Sequence, residues 1–205
     1  GCQLAAARGG QVLAMYRFLR EKLSGGVSLY STCCGIPAHW AGREALFNEH
    51  AEKLRSDWES CGRPEILAAC SSCMTALQKA LPEATITSLW SKLDAIIDEP
   101  FACDAPGAMN VQDPCGARHD AEWQRAVRSL ACKAGIRVEE ATRTGNESAC
   151  CGYGGLVWNA QPDVADAMAK KRAGEFGLPV MTSCIMCHDR FAAETESWHL
   201  FDILP

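Results

Sequence analysis

Two stretches of the sequence decide its reading: Cys33-Cys34-Gly35 followed by Cys70-Ser71-Ser72-Cys73, and Cys150-Cys151-Gly152 followed by Cys184-Ile185-Met186-Cys187. A single cysteine precedes each pair, Cys2 in the first case and Cys115 in the second. Matching the two sets of five position by position gives offsets of 113, 117, 117, 114 and 114 residues, and the glycine after each adjacent pair matches too. Agreement among ten cysteines at nearly constant offset is the signature of a tandem duplication.

Working outward, the residues between the cysteines alternate between helical and strand patterns. Val12, Leu13, Met15, Tyr16, Leu19 and Leu23 recur at helical spacing, so 11–23 is predicted as an amphipathic helix stopped by Gly25-Gly26. Val27–Thr32 then reads as a short strand delivering Cys33, and 41–60 as a helix. A strand at Glu65–Ala69 leads to Cys70, with a helix at 74–81, a strand at Ile86–Leu89 and a helix to about Ile97. The stretch Asp98–Gly107, carrying Pro100 and Pro106, is the expected linker. Beyond it come a strand at 108–112 before Cys115, a helix at 120–134, a strand at 136–141, a helix at 163–176 and a strand at 179–183 before Cys184. Such alternation predicts an α/β chain of two similar tandem lobes, 1–100 and 101–205, with mostly parallel sheets. Cys33, Cys70, Cys115 and Cys184 are expected just after strands, so each set should gather at the carboxyl ends of its sheet.

The 205 residues carry a net charge of -5 and no concentrated basic face, which argues against a nucleic-acid partner. Lys170-Lys171-Arg172 is the one tight basic run and is expected to be a solvated helix face. No apolar stretch approaches the roughly 20 residues needed to span a bilayer, so any membrane association is expected to come through a partner.

Thirteen cysteines in a chain with a full apolar complement point away from a small disulfide scaffold. The adjacent pairs are poorly placed to bridge each other. Ligation in a reducing cytoplasm is the expectation. Cys61, Cys103 and Cys132 have no counterparts in the other half and read as small core hydrophobes. For the ten paired cysteines, one zinc ion per set is the simplest occupant, but zinc takes four ligands in a closed tetrahedron and each set offers five thiolates. Several irons bridged by sulfide spread that charge, and neighbouring cysteines can ligate different irons. A cluster is therefore expected, with zinc in one of the sites kept as an alternative. The tight three-cysteine run of ordinary cubane ligation is absent.

The two patterns, Cys-x30-Cys-Cys-x35-Cys-x2-Cys from Cys2 to Cys73 and Cys-x34-Cys-Cys-x32-Cys-x2-Cys from Cys115 to Cys187, resemble the cysteine-rich CCG domain of the heterodisulfide reductase and glycolate oxidase iron–sulfur family. Asp113-Pro114 and Cys151-Gly152-Tyr153-Gly154-Gly155 fit that pattern as well. The resemblance implies a non-cubane 4Fe-4S cluster in each repeat, one on Cys2, Cys33, Cys34, Cys70 and Cys73, the other on Cys115, Cys150, Cys151, Cys184 and Cys187. It implies an electron-transfer module of an oxidoreductase in which paired clusters reduce a disulfide. Alternatives are a non-catalytic relay in a quinone-linked dehydrogenase of the glycolate, lactate or glycerol-3-phosphate type, and a zinc-binding interaction domain. The electron donor is expected to be a ferredoxin-like or flavoprotein subunit or domain, and the substrate a small thiol or disulfide or a quinone-linked compound. Since no strand precedes Cys2, the chain reads as part of a longer polypeptide.

Of the remaining residues, Gly35, Gly152, Gly154 and Gly155 suit turns that bring backbone N–H groups towards cluster sulfurs. His39, His119 and His188 flank the cysteines and read as surface or supporting histidines, with proton donation to a departing thiolate as the alternative. Trp40 and Trp158 occupy equivalent places and read as core, with a role in walling a substrate cleft as the alternative.

Overall fold

The computed structural model describes residues 1–205. The first repeat opens with α1 (Cys2–Ala7) and α2 (Gly9–Lys22), then α3 (Ile36–Trp40), α4 (Glu44–Ser60), β1 (Ile66–Ala68), α5 (Ser71–Ala80), β2 (Ile86–Ser88) and α6 (Leu89–Ile96). The second runs through β3 (Ala108–Gln112), α7 (Ala121–Lys133), β4 (Arg137–Glu139), α8 (Val157–Ala160), α9 (Pro162–Ala173), β5 (Val180–Thr182), α10 (Ile185–Phe191) and β6 (Ser197–His199). All strand pairs are parallel: β1 with β2, and a four-stranded sheet in the order β4-β3-β5-β6. The chain is α/β as its patterning required, and 98–107 is irregular. No helix is long and apolar enough to cross a membrane.

The expected strand at Val27–Thr32 does not form. Its counterpart in the second repeat is the edge strand β4, which pairs with β3, the strand leading into Cys115. No strand of this structure lies beside 27–32. Without a ladder partner the segment stays extended and largely exposed, with Leu29 and Tyr30 at the surface. Cys33 therefore follows an irregular segment rather than a strand. The strand β6 (Ser197–His199) is an element not expected from the sequence.

The repeats do not pack separately. One core cluster of 29 buried residues takes Leu4, Met15, Leu19, Leu89, Trp90, Leu93 and Ile97 from the first repeat and the remainder from the second. The packing is reciprocal. α6, which follows the last strand of the first repeat, lies along α7 of the second. The turn after β6 returns Asp202 to Arg8 and Gln11 at the start of α2. Trp90 and Phe201, each two residues beyond its strand, meet edge to face with centroids 5.2 Å apart. Trp90 also touches the rings of Trp123 and His199.

Some residues lie elsewhere than their sequence suggested. Lys170 and Lys171 are exposed, but Arg172 is 1% exposed and turns into the sheet. Cys61 and Cys132 are exposed, so neither is a core residue; both sit at the ends of helices whose buried face is filled by larger apolar side chains. Cys103 is half-buried, its thiol donating to the Ala134 carbonyl. Trp158 is 38% exposed, its ring stacked on the Arg190 guanidinium.

His199 is fully buried, and its Nδ1 accepts the Phe201 amide, which leaves the proton on Nε2. Burial pushes its pKa down to about 3. Because the unfolded chain protonates this imidazole near pH 6.5 and the folded one does not, its contribution is complete above about pH 6.5 and declines as the pH falls towards 3. Unfolding free energy should drop by about 2 kcal/mol between pH 6.5 and 5 on this account. Urea titrations at the two pH values check it: His199→Gln should flatten the slope, and an equal slope in the variant would contradict the assignment.

Candidate functional site

Each set of five cysteines is brought together by its own repeat. In the first, Cys2 sits in the opening turn of α1, Cys33 and Cys34 precede Gly35, the residue before α3, Cys70 is the residue before α5, and Cys73 lies in that helix's first turn. Cys33 lies beside Cys2, Cys34 beside Cys73, and Cys73 beside Cys70. All five line a cavity of about 150 Å³. In the second, Cys115 stands in a 3-10 turn three residues beyond β3, Cys184 precedes α10 and Cys187 is in its first turn. The Cys150 and Cys115 sulfurs are 3.9 Å apart and those of Cys187 and Cys151 3.2 Å. These five line a cavity of about 280 Å³. Apart from Cys33, the expectation that strand ends and helix starts would gather the thiols describes what is seen.

The glycines of the Cys-Cys-Gly turns have one geometry in both repeats. Gly35 and Gly152 adopt φ of +79° and +83°, and each donates its N–H to the sulfur two residues back, Cys33 or Cys150, at 3.4 Å. A Cβ at Gly35 would lie 2.8 Å from the Cβ of His50, and one at Gly152 would lie 2.6 Å from the Ala165 carbonyl oxygen. Left-handed backbone and a close wall coincide at both positions. Gly152→Ala should therefore destabilise the protein by about 2–4 kcal/mol, and by more than Gly35→Ala, because backbone yields less than a side chain. Thermal melts of the two variants check the order.

The thiols perturb one another. In the first site Cys73 is a shared hydrogen-bond donor, which lowers Cys34 to about 7 and Cys70 to about 6 while Cys73 itself is pushed up. In the second, hydrogen bonds from Cys115 and Cys151 lower Cys150 to about 2, while Cys151 rises to about 12 and Cys115 and Cys187 rise as well. Lowered thiols thus sit beside raised ones: sulfurs this close cannot all ionise unless positive charge is supplied. Such a donor set takes up metal with release of protons. The five thiols of each set line one cavity, a donor set that fits metal held through sulfur, a bridged iron cluster included.

Buried residues behind the second site hold its two loops, and the sequence alone does not single them out. Arg172 Nε donates to Gln112 Oε1 at 2.7 Å. Gln112 Nε2 donates to the Ala149 carbonyl at 2.9 Å and the Asp113 carbonyl at 2.8 Å, tying the approach to Cys150 to the approach to Cys115. The Asp113 carboxylate, 1% exposed, receives both Arg128 Nη groups at 2.9 and 2.8 Å and the Gly145 amide at 2.8 Å. The one available signal was Asp113-Pro114 before a ligand candidate; Arg128 and Arg172 lie on distant helices.

The histidines are placed away from both cavities. His39 pairs with Glu44 at 3.0 Å and His119 is exposed. His188 faces the Arg8 guanidinium at 3.1 Å through Nε2 and Asp189 at 3.2 Å through Nδ1, so it clasps the two repeats together. Trp40, by contrast, lines both cavities.

A duplicated α/β fold that gathers two sets of five thiols defines a tandem cysteine-rich domain. The chain belongs to the CCG cysteine-rich domain family, whose model matches residues 1–78 and 109–192. It is similar to one subunit of the fumarate reductase (CoM/CoB) of Methanothermobacter marburgensis, with 26% identity over 93% of this chain and 40% of that protein. It is also similar to one subunit of the dihydromethanophenazine:CoB–CoM heterodisulfide reductase of Methanosarcina barkeri, with 27% identity over 76% of this chain and 42% of that protein. The chain thus spans about two fifths of the length of each of these relatives.

Proposed function

We propose that this chain is an iron–sulfur electron-transfer module of a reductase, in which two clusters side by side serve the reduction of a disulfide. The observation that carries the reading is that two complete five-cysteine cavities share a wall: Ile36, Trp40, Ser72, Tyr153 and Met186 line both. Similarity to subunits of two reductases supports it. Cys2, Cys33, Cys34, Cys70 and Cys73 would hold one non-cubane 4Fe-4S cluster and Cys115, Cys150, Cys151, Cys184 and Cys187 the other, with the repeats dividing at 100/101. A cluster bound there supplies single electrons and iron able to accept a thiolate. The chain's own residues do the rest. Gly35 and Gly152 aim amides at the sulfurs, which stabilises the reduced, more negative state. Ile36, Trp40 and Met186 make the larger part of the shared wall apolar. Electrons arrive from a ferredoxin-like or flavoprotein partner.

Protein reconstituted with iron and sulfide under anaerobic conditions should be brown and carry roughly eight irons. With a low-potential one-electron donor it should convert 2-hydroxyethyl disulfide to thiol. Uptake of electrons with no thiol formed would make the chain a relay to another centre. Colourless protein with stoichiometric zinc would remove the reading altogether.

A further inference from the structure

The two sites differ in how they are balanced electrically. In the second set Cys151, Cys184 and Cys187 are buried, whereas in the first only Cys34 is. Burial disfavours added negative charge, so a centre held by the second set is the harder of the two to reduce unless positive charge stands near it. The cavity walls do not supply that charge, for no Lys, Arg, His, Asp or Glu lines either cavity.

Arg118 supplies it from behind the wall. It lies three residues after Cys115, and its Nη2 donates at 2.7 Å to the carbonyl of Ser148, two residues before Cys150. The side chain thus ties the loop of Cys115 to the loop of Cys150. It is half-buried, its Nε is buried without a partner, and it forms no ion pair. Neighbouring charges are matched, Asp113 by Arg128 and Arg172 by Glu175. Cys150 is held low chiefly by the hydrogen bond from Cys115, and the Arg118 charge acts in the same direction. The duplication isolates what is particular to this site: Ser148 has its counterpart in Ser31, 117 residues earlier, but Arg118 falls opposite Ala5, 113 residues earlier.

We propose that Arg118 is the counter-charge of the second site, raising the reduction potential of the iron–sulfur centre on Cys115, Cys150, Cys151, Cys184 and Cys187 and leaving the first site unaffected. One electron from the donor adds one negative charge to that centre, with no bond made or broken, and an unpaired cation close by stabilises the reduced state. A guanidinium keeps its charge at every working pH, so the effect is permanent. One such charge within about 10 Å, at an effective dielectric constant of about 20, favours the reduced state roughly tenfold. The proposal rests on the reading that the second set of thiols holds an iron cluster, and deepens it by naming the residue that sets that centre's potential.

The test is an anaerobic redox titration of the reconstituted protein, followed by visible absorbance at about pH 8, above the ordinary imidazole range, so that histidine charge does not enter. Cys34→Ser serves as the background because it keeps only the second site's iron, and Arg118, Arg118→Gln and Arg118→Lys are compared in it. Arg118→Gln keeps a donor for the Ser148 carbonyl but should weaken reduction about tenfold, a fall of about 59 mV for one electron. Arg118→Lys, which keeps the charge, should recover most of that fall. In the Cys151→Ser background, which keeps only the first site, Arg118→Gln should leave the potential where it was. With iron counted on each sample, an unchanged potential in Arg118→Gln at full iron, an equal shift at both sites, or no recovery with lysine would overturn the proposal and leave the cluster reading standing. No iron in the Cys34→Ser chain with Arg118 intact would remove the cluster reading at that site and the proposal with it. Should Arg118→Gln fail to fold or lose its iron, Ala5→Arg decides, since it places the charge at the equivalent point of the first repeat: in the Cys151→Ser background it should raise the first site's potential, and no rise would overturn the proposal.

Discussion

Cys151→Ser is expected to carry about half the iron of the unaltered chain, and Cys34→Ser the same, because a hard hydroxyl is a poor iron ligand beside thiolates. The two losses should be separate. Each set of five is assembled by its own repeat, and no cysteine of one set lines the other's cavity. Cys34→Ser should thus keep the iron at Cys115, Cys150, Cys151, Cys184 and Cys187, and the double variant should lose nearly all of it. Iron assay and visible absorbance after reconstitution give the answer. Cys61→Ala, Cys103→Ala and Cys132→Ala serve as controls and should keep full iron; Cys61 and Cys132 are exposed, so those two should also be nearly neutral in stability. Should Cys103→Ala lose a cluster while Cys2→Ala does not, the first site would have to be reassigned, and Cys34→Ser leaving full iron would remove Cys34 from it.

Arg128→Ala should be the most damaging change outside the cysteines. It strips both guanidinium hydrogen bonds from Asp113, whose carboxylate is 1% exposed, and releases Glu140 and Thr144 as well. Removing one partner of a buried ion pair costs about 3–5 kcal/mol, because the remaining charge is left without compensation. For a chain of this size that corresponds to a fall in melting temperature of about 10 °C. Since Asp113 leads through Pro114 to Cys115, iron should be lost first from the second site, with Cys34 and its partners unaffected. Asp113→Asn with Arg128 intact should cost less, as a neutral amide can keep one of the hydrogen bonds. Thermal melts paired with iron assays separate the two effects; an unchanged melt in Arg128→Ala would mean that Asp113 is held by Gly145 and Thr144 alone.

The parts legible in the sequence were those with a local cause. The helix around Met15 and Leu19 and the strand at 108–112 follow from side-chain periodicity, and the Gly35 and Gly152 turns from the need for positive φ beside a ligand. Matching spacing alone marked all ten cysteines, because duplication repeats a pattern that packing by itself would not preserve. Val27–Thr32 failed for a non-local reason: a strand exists only if another lies beside it, and nothing in those six residues reports whether one does. Arg128 and Arg172 were invisible for a related reason, since a buried guanidinium and a solvated one read alike until the partners Asp113 and Gln112 are brought to them. Only the tertiary structure set the two cavities side by side. Reciprocal packing of α6 on α7, and of the turn after β6 on α2, brings Ile36 and Tyr153, residues 117 apart, to line the same two cavities, and forms between the sites a wall that neither repeat can build alone.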